Sequence, residues 1–428
     1  MIDKCDTTLN ALAMRVYYPS NHNYNTCKLP AIILFHAGSY AECSSYTNPG
    51  ARGLSRKLCK RGFVVFDVNY RVGVIVDTRI VTGSLSPEYN HGLSYVSAQQ
   101  MLAIYRALQD ARGAIRSVLQ MQLDGINSSL YKIDINNVFL AGMSAVSLLA
   151  MSAEYLGPGA AGQAKIDSLF PGVKAHLGPI DTTGVYYADA PASLNQDYFK
   201  RIKGILNCWG SLFIPNAYLT TPYTFFSTQG YTLPPIISFH GMKDTTFDYK
   251  AQGVYFSRST ADPNTGLFTN TESRCLENGA YTTPADDGLH PTRYEISIGS
   301  QTIYNMLHDN GILSELYLDC DAYHGLDVDE PLCGTCTFDP TNLFVKPGMG
   351  SSCIKCTYQS NFGTDANNTD KTYDYIAGRA ATIFQTIIGG STYYSNITTT
   401  RFVECENNRV TCDGTTSTGC SDTDTCPN

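Results

Sequence analysis

Ser144, Asp244 and His324 stand far apart in this sequence, each just beyond a short apolar run. A serine hydroxyl can attack an acyl carbon when a base takes its proton and an acid orients that base. N–H donors must also stabilise the oxyanion. In Gly142-Met143-Ser144-Ala145-Val146 the serine follows VFLAG, short and rich in β-formers, as a strand buried on both faces should be. Val146, Leu149, Ala150 and Ala153 then recur at helical spacing. A serine at so tight a strand-to-helix turn points its hydroxyl away from the sheet, beside the free N–H groups of the new helix. His324 lies in Asp319-Cys320-Asp321-Ala322-Tyr323-His324-Gly325, directly after the run SELYLD, and is one of only eight histidines. A loop there can swing an imidazole over the sheet edge, which makes His324 the leading base. Asp244 closes Phe239-His240-Gly241-Met242-Lys243-Asp244 and is the leading orienter; Asp248 is the reserve and Asp181 a weaker choice. Taken singly, each has a plain alternative: a buried strand–helix turn, a surface-loop histidine, a turn-capping aspartate.

The segments around these residues alternate strand and helix. ALAMRVYY (11–18) suggests an opening strand, and LPAIILFHAGSY (29–40) a continuous apolar strand running into a glycine loop. RGLSRKLCKRG (52–62) is helical in pattern and stops at Gly62. FVVFDVNYR (63–71) is another buried strand, and a long helix is expected from about Ser97 to Gln122. IKGILNCWGS (202–211), PPIISFHGMKD (234–244) and SELYLD (314–319) complete the strands; helices are expected at about 297–310 and over 373–388. Asn136-Asn137 is expected to bound the strand before Ser144. Short apolar strands alternating with helices are the sign of a parallel sheet covered on both faces. Open α/β sheets keep their sites at the carboxyl ends of the strands, where all three residues fall. Residues 157–200 read as a loop or cap insertion, with further insertions at 257–293 and 325–371.

Gly142-Met143-Ser144-Ala145-Val146 resembles the G-x-S-x-G elbow of the α/β-hydrolase family, with Val146 in place of the second glycine. Phe35-His36-Ala37-Gly38-Ser39-Tyr40 resembles that family's H-G-G-G loop, and His240-Gly241-Met242-Lys243-Asp244 its acid loop. Ser144, Asp244 and His324 follow one another in the family's order, and the ordered set is more specific than any one motif. The resemblance, to secreted serine carboxylesterases and lipases, covers about residues 10–390. It implies an α/β-hydrolase fold and a Ser-His-Asp triad of Ser144, His324 and Asp244. The oxyanion donors would be the N–H groups of Gly38, Ser39 and Ala145. No cofactor or metal is implied, and the partner is a small or polymeric ester. Val146 adds β-branched bulk at the turn and implies a wider elbow. A peptidase or amidase on the same fold is a rival, as is an inactive binding module.

Apolar content of 43% and charged content of 16% describe a globular chain of 428 residues, and a net charge of −8 argues against nucleic acid or an anionic membrane surface as its main partner. No apolar run approaches the ~18 residues of a membrane span. Met1-Ile2-Asp3 runs straight into folded-looking sequence without a signal peptide, which suggests the mature end of a secreted protein. Fifteen cysteines point to an oxidising compartment, and the odd count leaves at least one unpaired within the chain. Cys333, Cys336, Cys353 and Cys356 form two C-x-x-C pairs, a spacing that also fits a four-thiolate zinc ribbon. The eleven other cysteines favour disulfides there. Asp327, Asp329 and Glu330 could hold calcium, although a solvated acidic face is the simpler reading. The domain expected is 1–390, followed by a cysteine-rich tail at 391–428.

Overall fold

The computed structural model describes residues 12–20, 22, 24, 28–38, 40, 48–71, 95–170, 172–181, 198–228, 231–242, 244, 247–255, 294–319, 322, 324, 336–338, 356–358, 366–389, 409–410 and 416–417. Seven strands build the central sheet: β1 (Met14–Tyr17), β2 (Leu29–Phe35), β3 (Val64–Val68), β4 (Ile133–Met143), β5 (Ile202–Cys208), β7 (Ile236–Gly241) and β10 (Ser314–Asp319). Their order is β1-β3-β2-β4-β5-β7-β10. Every neighbouring pair is parallel except β1 with β3, an antiparallel edge.

Alternation along the strands makes two cores, one on each face. Ala31, Ile33 and Phe35 of β2 join Val64, Phe66, Leu140 and Ile205 on one face. There they meet α2 (Tyr95–Leu123) and α3 (Ser147–Tyr155) through Ile104, Leu108, Ile115 and Leu149. Ile32 and Leu34 join Phe139, Leu206 and Ile237 on the other face, under α1 (Pro49–Lys60) and α8 (Ala366–Gly389). Phe384 of α8 stacks on Phe139 at 4.0 Å between ring centroids. This is the mostly parallel, doubly covered α/β sheet expected from the alternation.

Local chemistry sets the ends of α1. The Asn48 side chain accepts from Ala51 N at 2.9 Å, Pro49 starts the helix, and Gly62, with φ 90°, turns the chain out of it. At the other end of the sheet, a buried group ties β10 to α8. Arg379 reaches Glu315 at 2.9 Å and donates from Nε to the Tyr317 hydroxyl.

Three expectations need correction. Residues 157–200, expected as loop or cap, hold two helices, α4 (Gly159–Leu169) and α5 (Val173–Leu177). β4 begins at Ile133 and runs through Asn136-Asn137, since Asp134 accepts from Asn136 N and Asn137 Nδ2 and so satisfies the polar stretch within the strand. The helix expected at about 297–310 is present as α7 (Ser300–His308), but a strand that was not expected, β9 (Tyr294–Ile298), takes its first two positions. With β6 (Leu212–Pro215) and β8 (Ala251–Tyr255), β9 forms a small antiparallel sheet ordered β6-β9-β8.

In the cysteine-bearing region, β11 (Cys336–Phe338) and β12 (Cys356–Tyr358) pair antiparallel, as do β13 (Arg409–Val410) and β14 (Thr416–Ser417). Residues 257–293, Cys333, Cys353, Asp327, Asp329 and Glu330 lie outside the described residues, as do the side chains of Cys336 and Cys356. Among the described residues no helix is long and apolar enough to cross a membrane.

Candidate active site

The sheet order determines which side chains meet. β7 and β10 run parallel with Asp319 opposite Gly241, so the loops after them leave the same edge. Asp244 stands three residues beyond Gly241 and His324 five beyond Asp319. Ser144 follows Met143, the last residue of β4, which pairs with Cys208 at the end of β5. From β10 to β4 is three strand spacings, about 14 Å, yet His324, five residues past β10, is placed against both Asp244 and Ser144. The result is a hydrogen-bonded chain: Ser144 Oγ lies 2.6 Å from His324 Nε2, and His324 Nδ1 lies 2.8 Å from Asp244 Oδ2. The Asp244 side chain is shielded from solvent, while that of His324 is 28% exposed.

The turn at Ser144 is strained. Its φ is 62°, in the left-handed region that side chains disfavour by roughly 1–2 kcal/mol. A short 3₁₀ turn, Ser144–Val146, leads into α3. Gly142 makes the turn passable: a Cβ there would stand 2.5 Å from Ser147 Cα and 2.7 Å from the Val146 carbonyl oxygen. Val146, where a second glycine was expected, has ordinary helical backbone, φ −90° and ψ −12°, and its side chain is buried in the core beneath α2 and α3. The close approach thus falls on Gly142, and the β-branched residue is accommodated.

β2 lies beside β4 with Phe35 opposite Gly142, which brings the loop after β2 next to Ser144. Three hydrogen bonds pin the loop. Tyr70 donates to His36 O at 3.0 Å, Asn48 Nδ2 donates to Ala37 O at 3.2 Å, and Tyr40 donates across to Ala145 O at 2.5 Å. Gly38 sits in this loop with φ 145°, a conformation that needs glycine. Ser39 lies outside the described residues. The Tyr40–Ala145 bond couples the loop directly to the residue after the serine.

Burial pushes the Asp244 carboxyl up. Hydrogen bonds from His240 and His324, the charge of His324 and the Phe247 N–H outweigh it and hold the group well below the usual carboxylate range. Asp244 Oδ1 accepts from Phe247 N at 2.9 Å, and His240 Nε2 stands 3.2 Å from Oδ2. The two other aspartates are engaged elsewhere. Asp181 pairs with Arg112 and Arg116, and Asp248 accepts from Lys250 N at 2.7 Å.

Several residues here escaped the sequence reading. His240 was visible in H-G-x-x-D but had no role, and Tyr40 closed the glycine loop unnoticed. Asn207 left a usable signal, a fully buried amide in the middle of an apolar strand. Ser300 and Phe247 left none.

No protein-family model matches the sequence, and no curated protein does. Among solved structures, the apo form of esterase 2 of Thermogutta terrifontis is similar at 15% identity and a TM-score of 0.39, over 75% of this chain and 82% of that one. The same esterase with butyrate bound gives 15% and 0.38 over 73% and 80%, and its paraoxon-phosphorylated form 16% and 0.37 over 73% and 79%. Likeness of this size leaves the chemistry to be read from the residues themselves.

Proposed function

We propose that the protein is a serine hydrolase of the α/β-hydrolase type that cleaves carboxylic esters through an acyl-enzyme. The observation that carries this reading is the chain Ser144–His324–Asp244 at 2.6 and 2.8 Å, starting from a serine at φ 62°. Ser144 Oγ attacks the carbonyl carbon as its proton passes to His324 Nε2. Asp244, kept ionised, accepts from His324 Nδ1 and so leaves Nε2 free to take that proton. The oxyanion is assigned the N–H groups of Ala145 and Gly38 as donors, with Ser39, outside the described residues, as the third donor that the loop's resemblance implies. His324 then gives its proton to the leaving alcohol oxygen, and the C–O bond breaks. Water attacks the acyl-serine with His324 again as base, and the acid leaves as Ser144 regains its proton. An alkoxide departs more readily than an amine anion, which favours esters over amides for the same constellation.

One catalytic domain over residues 1–390 fits a single sheet running from β1 to β10 with α8 beneath it. We infer secretion into an oxidising compartment from the fifteen cysteines. A fluorophosphonate probe tests the whole reading. The parent should gain one covalent phosphonyl group on the peptide holding Ser144, and Ser144→Ala should gain none. An unlabelled parent, or a label retained by Ser144→Ala, would refute it.

A further inference from the structure

Behind the triad lies a second buried histidine that the reaction above does not use. His240, the penultimate residue of strand β7, is fully buried and faces three polar neighbours. Its Nε2 is 2.8 Å from the Phe247 carbonyl oxygen and 3.2 Å from Asp244 Oδ2. Its Nδ1 is 2.7 Å from Ser300 Oγ. The first two neighbours can only accept, so Nε2 carries a proton shared between them.

The other side of the ring settles which way the remaining bonds run. Gly210 N donates to Asn207 Oδ1 at 3.0 Å, which fixes the orientation of that amide. Ser147 Oγ donates to the same oxygen, and Asn207 Nδ2 faces Ser300 Oγ at 3.0 Å and Ser238 Oγ at 3.2 Å. Ser300 accepts from Asn207, and its own hydroxyl proton turns to His240 Nδ1. A single file of donors therefore runs back from the acid: His240 to Asp244, Ser300 to His240, Asn207 to Ser300. Ser147, the first residue of α3, joins it through the Asn207 carbonyl oxygen and lies three residues past Ser144. Both the acid loop and the serine turn are thus fastened to one buried network.

We propose that His240 is a positioning residue for Asp244. It holds the carboxylate from the side opposite Phe247 N and withdraws charge from the oxygen that orients His324. The proposal rests on the triad reading of Ser144, His324 and Asp244. Phe247 reinforces it: its N–H and C=O grip Asp244 and His240, and its ring packs 5.8 Å from that of His324. Among the described residues, the titratable groups in contact with His240 are Asp244 itself and, through it, His324; Phe247 O, Ser300 and Asn207 are uncharged.

The proposal has a sign. Without the Nε2–H donor, Asp244 Oδ2 keeps more of its charge and grips the proton on His324 Nδ1 more strongly. The imidazolium then survives to higher pH, and the base is lost over a wider acidic range.

The test is His240→Phe, with His240→Gln as the conservative variant whose amide can still donate near the Nε2 position. Steady-state kinetics on a short-chain p-nitrophenyl ester are read from pH 5 to 9, beside thermal unfolding. His240→Phe should lower kcat roughly ten- to a hundredfold, as loss of an outer partner does. KM should stay within about twofold, because the ring touches no substrate. The acid limb of kcat/KM should move to higher pH, and His240→Gln should restore most of both changes. A folded His240→Phe with unchanged kcat and limb overturns the proposal. So does a glutamine variant no better than phenylalanine. If His240→Phe does not fold, Ser300→Ala removes one oxygen and leaves the ring in place; unchanged kcat and limb in that variant overturn the proposal equally. Nitrogen-15 spectra of histidine-labelled parent protein read the tautomer without any turnover. The Nε2–H form is expected at His240, and the Nδ1–H form refutes the network even if ester hydrolysis is confirmed. Ester hydrolysis surviving Ser144→Ala would instead sink the triad reading and leave the tautomer result standing.

Discussion

Asp244→Asn replaces a carboxylate whose contacts with Phe247, His324 and His240 have known geometry, so its effect can be worked from them. Oδ1 accepts from Phe247 N at 2.9 Å; Oδ2 faces His324 Nδ1 at 2.8 Å and His240 Nε2 at 3.2 Å. If the asparagine oxygen keeps the backbone N–H, the amide NH₂ must take the Oδ2 place. It then meets the Nε2–H of His240 donor to donor. It can meet His324 only when Nδ1 is bare, which puts the imidazole proton on Nε2, pointing at Ser144. The base is then occupied in its resting form. Loss of the correct tautomer in a triad costs about 10⁴ in kcat, or ~5.5 kcal/mol of transition-state stabilisation. The opposite amide orientation spares His324 but sets NH₂ against Phe247 N–H and leaves a buried donor without an acceptor, at about 1–3 kcal/mol of stability. We therefore expect kcat on a p-nitrophenyl ester to fall by about 10⁴ with KM little changed, and the melting temperature to fall by several degrees. More than a tenth of parental kcat, or a larger loss in Asp248→Asn, would refute the assignment of the acid.

Ser144→Gly should abolish turnover and raise stability by up to roughly 1 kcal/mol in denaturant unfolding, because glycine adopts φ 62° without strain; destabilisation would count against a strained turn. Gly142→Ala should cost roughly 2–3 kcal/mol and depress kcat, since the atoms its Cβ would strike belong to the backbone of Val146 and Ser147 and cannot swing aside. Asp67 is fully buried on β3, and burial raises its carboxyl to about 7 against the opposing charges of Arg15 and Arg52. A carboxyl raised on folding lends stability that is whole below its unfolded value and fades as pH climbs to about 7, on the order of 4 kcal/mol here. Asp67→Asn should remove that fading, so the variant gains on the parent between pH 4 and 7; parallel stability curves would refute the account.

The central sheet was legible because its strands are written plainly. Ile32 to Phe35 is apolar without interruption, and Val64 to Val68 and Ile236 to Phe239 are broken by one polar residue each, Asp67 and Ser238, a density that strands buried on both faces show. The candidate site was legible to the extent that chemistry and strand ends coincide in sequence, as at Ser144, Asp244 and His324. Glycine misled the reading at 157–169. Gly162 looks like a loop marker, yet it sits in α4 because a Cβ would stand 1.9 Å from the Gly157 carbonyl oxygen. β9 was hidden because YEISI is only five residues long and abuts a helix, so its alternation merges with the helical pattern. The network behind Asp244 draws on β5, β7, α3 and α7, and nothing local marks Ser300 or Asn207 as neighbours of His240.

Cys208, at the end of β5, is buried as a free thiol, and burial pushes its ionisation well up. Thiol–disulfide exchange needs an accessible thiolate, so the folded sheet removes this sulfur from exchange. In an unfolded chain nothing distinguishes it from the other fourteen. Were the chain to fold while its cysteines oxidise, as proposed above, the order of events would matter. If β5 docks between β4 and β7 first, this thiol is sequestered before it can exchange with any other. If oxidation runs ahead of the sheet, Cys208 can capture a partner from another pair, and the strand beside the serine turn is then held out of register by a covalent bond.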